Sequence, residues 1–170
     1  MHLDEKQERE AWKVMPVADL VRHLVGTCHL ECRTDMADLE TLAELIALED
    51  GRRNPTLVEI RDMISRFCTT MRAHLALEER NLFPYILAMD AGTVPEGRKE
   101  HLDSVRALLE GEHEAEAGLL RSIRGLASAL AATSSPGGPE IRLHECIKHL
   151  SGRLQKHLYL ENQVLFPRTR

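Results

Sequence analysis

Aromatic side chains are scarce: they make up 4% of the 170 residues, with one Trp, two Tyr and three Phe. Few aromatics and few β-branched runs argue against sheets and for helices. No apolar run is long enough to span a bilayer, so a membrane location is not expected. The opening stretch Met1 to Glu10 is mostly charged and lacks the apolar core of a signal peptide. The formal net charge is -5 and no basic block stands out. Nucleic acid and anionic membranes are therefore poor partners. Neither a nucleophile triad nor a phosphate-binding loop is present, and nothing names an organic substrate. The four cysteines, Cys28, Cys32, Cys68 and Cys146, form no C-x-x-C pair. With a cytoplasmic location expected, they read as small buried hydrophobes.

What the chain does have is one stretch written twice. The first copy runs His74-Leu75-Ala76-Leu77-Glu78-Glu79-Arg80-Asn81-Leu82-Phe83-Pro84, and the second runs His157-Leu158-Tyr159-Leu160-Glu161-Asn162-Gln163-Val164-Leu165-Phe166-Pro167. The shared pattern is H-L-x-L-E-x-x-x-L-F-P. Residues four apart lie on one helix face, so each His points the same way as its Glu. A single His-x-x-x-Glu arises often by chance and makes an ordinary surface pair. Two copies in matching stretches point instead to a metal pair held between facing helices.

The apolar spacing predicts one domain of four helices, residues 16–170, after an N-terminal tail or short helix over residues 1–15. Pro16 opens the first helix and Gly51 to Pro55 stops it. The second opens at Pro55 and is kinked or ended by Pro84, with a short extension to Met89. A turn at Asp90 to Pro95 leads to the third, opening near Glu96, whose regularity Gly111, Gly118 and Gly125 weaken. The loop from Thr133 to Gly138 leads to the fourth, from Pro139 to Phe166. Short loops make this an all-α, up-down-up-down four-helix bundle with the two repeats on parallel helices.

Depth along the bundle tests which residues share a site, since each helical residue rises about 1.5 Å. His74 and Glu78 lie about 20 residues from the end marked by the first loop, and His157 and Glu161 lie about as far from the loop at 133–138. On the first helix the residue at that depth is His29; on the third it is close to His113. Six candidate metal ligands therefore share one level: His29, His74, Glu78, His113, His157 and Glu161. The same arithmetic sets aside His23, His101, His144 and His149, and His2 lies in the tail. Two carboxylates and four imidazoles suit two ions better than one. Without thiolate, iron, manganese and zinc all remain open.

These residues resemble the hemerythrin-like family of cation-binding proteins, closest to its branch of di-iron proteins for repair of iron centres. The resemblance runs from Pro16 to Arg168. It rests on Pro16 to Val21 followed by His29, on His74-x-x-x-Glu78 with Leu82-Phe83-Pro84, on Glu112-His113-Glu114, and on His157-x-x-x-Glu161-Asn162 with Leu165-Phe166-Pro167-Arg168. It implies two iron ions joined by an oxo or hydroxo group, bridged by Glu78 and Glu161, with the four histidines as terminal ligands. Respiratory members carry a second His four residues on from the one matched by His113. Ala117 stands there in this chain, so one ion has an open or water-filled position. Repair members often have another His late in the first helix. Here Glu49 and Asp50 stand in that region, and Asp50, about 30 Å from His29, is not carried over. The cysteine-bearing N-terminal domain common in repair members is not expected here.

The resulting expectation is a metal-binding protein for repair or protection of iron–sulfur proteins under oxidative or nitrosative stress. Dioxygen or nitric oxide and apo iron–sulfur proteins are its expected partners, with a homodimer left open. The alternative is a carrier or sensor of dioxygen or nitric oxide. A di-iron oxidase or peroxidase and a metal-free helical interaction module are further rivals.

Overall fold

The computed structural model describes residues 5–94, 99–134 and 138–169. Outside the described residues lie the expected helix start at Glu96, the turn residue Pro95, the loop residues Ser135 to Gly137, and the side chains of His2, His101 and Leu102. Among the described residues every regular element is helical, and no helix is long and apolar enough to cross a membrane.

A short helix, α1 (Glu5–Val14), precedes four rods. The first rod is α2 (Val17–His23), a π turn over Leu24–His29, and α3 (Leu30–Asp50). The second is α4 (Pro55–Leu77), a π turn over Glu78–Leu82, and α5 (Phe83–Asp90). The third is α6 (Lys99–Ala131), and the fourth is α7 (Pro139–Tyr159) with a π turn over Leu160–Leu165 and a final 3-10 turn, Phe166–Thr169. Helix α3 packs on α4 and α7, and α6 packs on the same two. The rods thus form a square, and the two rods carrying the repeat stand diagonally across it.

The proline closing each repeat acts differently from a simple stop. Pro84 has no N–H and its ring would strike the carbonyl four residues back. The turn before it widens instead: the Phe83 N–H donates to the Glu78 carbonyl, five residues earlier. The second copy does the same, with the Phe166 N–H on the Glu161 carbonyl ahead of Pro167. So Pro84 neither ends nor breaks the rod. The widened turn holds one extra residue, and Leu160 and Glu161 are both buried within it. The third rod departs from expectation in the other direction. It runs unbroken through Gly111, Gly118 and Gly125, because Leu109, Leu120, Ile123 and Ala127 bury its inner side.

The core is two apolar slabs. One, toward the loop at 51–54, contains Met36, Phe67, Met71, Leu120, Ile147 and Leu154. The other contains Leu20, Leu24, Leu82, Leu109, Leu160 and Phe166. Trp12 brings α1 into this second slab, stacked on His23 with ring centroids 6.2 Å apart. A polar layer separates the slabs.

Gly51 sets the first corner. A Cβ added there meets the Ala47 carbonyl oxygen and lies 2.8 Å from Val58 Cγ2. Asn54 then caps α4, its Oδ1 accepting from the Thr56 N–H at 3.3 Å. Gly51→Ala should destabilise the fold by about 1–3 kcal/mol through that crowding. Thermal unfolding checks it, and an unchanged midpoint would mean the corner has room to relax.

Candidate metal centre

The polar layer between the slabs is made by the six residues at one depth. His29, Glu78 and Glu161 are 0% exposed, His74 and His157 2%, and His113 5%. Charge so removed from water costs several kcal/mol per ion unless it is compensated.

The side chains form two groups that share both carboxylates. His29, His157, Glu78 and Glu161 bring ligand atoms within 4.8 Å of one another, and so do His74, His113, Glu78 and Glu161. Each carboxylate divides its oxygens between the groups. Glu78 Oε1 lies 3.1 Å from His74 Nε2, whereas its Oε2 lies 3.5 Å from His29 Nε2. Glu161 Oε1 lies 2.8 Å from His157 Nε2, and its Oε2 lies 3.4 Å from His113 Nε2. All four imidazoles turn Nε2 inward, with His29 and His157 3.1 Å apart and His74 and His113 3.0 Å apart.

Tautomers decide what these close approaches mean. His29 Nδ1–H donates to Glu79 Oε1 at 2.8 Å, and Arg33 holds both oxygens of Glu79 at 2.8 and 3.0 Å. His74 Nδ1–H donates to Glu112 Oε2 at 3.0 Å. A neutral imidazole with its proton on Nδ1 leaves a bare lone pair on Nε2. His113 Nδ1 is 3.5 Å from the Asn162 side-chain nitrogen, and Asn162 Oδ1 has no partner. Turning that amide over lets Oδ1 accept from His113 Nδ1–H. Three Nε2 lone pairs then converge on carboxylate oxygens, of which Glu78 Oε2 and Glu161 Oε2 are buried without a hydrogen bond. Acceptors facing acceptors in an apolar core fit two cations, and the mixed nitrogen and oxygen donors fit iron, manganese or zinc.

Between the protein groups alone, protons do part of that work. Burial and the charge of Glu161 push Glu78 above the usual carboxylate range. Burial also works to raise Glu161, yet His157 and His113 hold it below that range. Burial opposes a charge on His74, but Glu78 raises it to about 9. His29 is pushed down to about 4, by burial first and by His157 second.

The histidines set aside on depth stand apart. His23 lies on Trp12, His149 Nδ1 is 3.4 Å from Asp35 Oδ2, and His144 is half-buried outside both groups. Asp50 ends α3 beside Arg53, away from the layer. Reasoning from sequence missed the residues behind the histidines: Arg33, Glu79, Glu112 and Asn162, and the buried Glu116, whose Oε2 is 3.9 Å from His74 Nδ1. Their adjacency was a signal, since Glu79 and Asn162 each follow a repeat glutamate and Glu112 precedes His113. Ala117 lines a cavity of about 170 Å³ with His113, Phe67 and Leu154.

The chain is similar to known proteins. The family model for the hemerythrin HHE cation binding domain matches residues 20–169. The iron-sulfur cluster repair protein ScdA of Staphylococcus haemolyticus is 22% identical over 154 residues, 91% of this chain and 68% of that protein. The iron-sulfur cluster repair protein YtfE of Yersinia pseudotuberculosis is 23% identical over 164 residues, 96% of this chain and 71% of that protein. A match over nearly the whole bundle, with buried His and Glu clusters at its centre, means that the chain belongs to the hemerythrin HHE cation-binding domain family.

Proposed function

We propose that this protein holds two iron ions between His29, His157, Glu78 and Glu161 on one side and His74, His113, Glu78 and Glu161 on the other, and serves the repair or protection of iron–sulfur proteins under oxidative or nitrosative stress. The observation that carries the reading is the sharing of both buried carboxylates by two histidine pairs. Similarity to the iron-sulfur cluster repair proteins ScdA and YtfE supports the repair role. Iron in such a centre supplies one-electron redox chemistry and affinity for diatomic gases.

The chain's own residues do the rest. Glu78 and Glu161 each offer one oxygen to each side and neutralise charge at the layer's middle. Glu79 and Glu112 keep the His29 and His74 protons on Nδ1, leaving Nε2 free to bind. The apolar slabs keep bulk water from the layer. The cavity beside Ala117 supports access of dioxygen or nitric oxide to the His113 side. Unpaired cysteines, three of them buried, fit a reducing cytoplasm.

The functional reading is tested by transfer of iron from the loaded protein to an apo iron–sulfur protein, followed by recovery of the acceptor's cluster. Reversible dioxygen binding with no iron transfer would assign the protein to gas carriage instead.

The ligand roles have a separate test. Glu78→Gln and Glu161→Gln keep shape but remove charge, and each should weaken metal binding by at least the roughly 10–100-fold that loss of a residue behind a ligand costs. His23→Gln should keep normal iron content. In a metal-free core the same Glu→Gln changes would be neutral or stabilising. Full iron occupancy in both Glu variants would therefore dismiss the bridging roles.

Loading should also be linked to pH. Glu78 is raised to about 8 and His74 to about 9, so near neutral pH both carry protons that must leave before their lone pairs bind metal. Uptake should release protons into weakly buffered solution and should weaken as pH falls. Titration calorimetry in buffers of different ionisation heat measures the release; a buffer-independent heat would contradict it.

A further inference from the structure

The two halves of the layer have matching ligands but unequal surroundings. The chain repeats a helix pair, so positions around His29 on the first rod correspond to positions around His113 on the third. The residue before the histidine is Cys28 in one case and Glu112 in the other. Three residues after it stand Cys32 and Glu116, and four after it stand Arg33 and Ala117. The residue after each repeat glutamate also differs: Glu79 backs His29, and Asn162 lies behind His113.

These differences add up to charge. Around the His29–His157 half, the one carboxylate among the described residues that bonds a ligand's outer nitrogen is Glu79, and Arg33 neutralises it with a two-armed contact. Cys28 and Cys32 are buried thiols there, uncharged at neutral pH. Behind His74 stand two carboxylates, Glu112 at 3.0 Å and Glu116 at 3.9 Å from Nδ1. Among the described residues, the one basic group within ion-pair distance of either is His74 itself. The amide of Asn162 behind His113 adds no charge. One half thus sits in near-neutral surroundings, and the other is backed by two carboxyl groups, Glu112 and the buried Glu116. Burial pushes the Glu116 carboxyl up to about 7, and a nearby cation would draw it to its anionic form.

Resting on the two-ion reading above, we propose that the halves are tuned to different ionic charge. The His74–His113 half, backed by Glu112 and Glu116, takes a trivalent ion, and the His29–His157 half, where Arg33 cancels Glu79, takes a divalent ion. A mixed-valence pair in this bundle then has a fixed polarity. The divalent position, with weaker electrostatic attraction, is the one that gives up its ion. Each nearby anion shifts the preference for one extra unit of charge on the order of tenfold or more, at the dielectric typical of protein sites.

Redox-inert probes test this without any activity assay. The full chain is loaded with equal amounts of gallium(III) and zinc(II), crystallised, and its two positions are distinguished by anomalous scattering at each metal's edge. Gallium is expected at His74–His113 and zinc at His29–His157. The double variant Glu112→Gln/Glu116→Gln should cut gallium's preference for its half on the order of 100-fold. Arg33→Met, which leaves Glu79 uncompensated, should draw gallium toward the His29 half. Equal occupancy of the halves, gallium on the His29 side, or a preference unmoved by either variant overturns the proposal while leaving the two-ion centre standing. Fewer than two ions per chain overturns both.

Discussion

Glu78 and Glu161 are fully buried and push against each other's charge at the centre of a helical bundle. The repulsion is relieved only by what stands between them. Protons on Glu78 and His74 can do it in part, and cations can do it wholly. The apolar slabs on either side raise the stakes, because a low dielectric strengthens both the repulsion and its relief. The slabs supply the packing that lets the bundle tolerate such a layer. Met71 and Leu82 on the second rod, and Leu154 and Val164 on the fourth, bracket the polar residues above and below.

The backbone serves the same layer. Each of the three π turns contains a ligand candidate: His29, Glu78 and Glu161. A π turn costs hydrogen-bond quality and is kept where a side chain must be re-aimed. In the second and fourth rods the cause is written in the sequence, in Pro84 and Pro167. In the first rod no proline stands near the π turn. There the turn ends on His29 itself, with Leu24, Cys28 and His29 all buried within it.

That contrast explains what the sequence made legible. The four rods could be read because Pro16, Pro55 and Pro139 open three of them and long apolar stripes run between. Depth along those rods then brought His29 and His113 to the level of the repeats, which periodicity alone would not have done for His29. Counting residues works because helical rise barely changes across a single π turn. Direction is harder. Whether Glu112 or Glu114 reaches toward His74 depends on rotation about α6, and nothing in one sequence fixes that angle against its neighbours. Glu116 and Arg33 were hidden for the same reason. Trp12 was hidden because α1 is mostly charged, so its single buried ring gave no period to read.

The topology adds a further constraint. Each half draws one histidine from each helical hairpin: His29 and His74 come from the first, His113 and His157 from the second. Each glutamate is shared by both halves. Neither hairpin alone can therefore complete either half, and an ion bound at either one holds the two hairpins together. Metal bound only to the docked state stabilises docking itself. A symmetric dimer of one hairpin would build the same six-residue layer with two identical halves. Two unequal hairpins in one chain keep the ligands matched, since coordination needs the same donors on both sides. The residues behind the ligands are under no such requirement, and there Cys28, Cys32 and Arg33 stand opposite Glu112, Glu116 and Ala117.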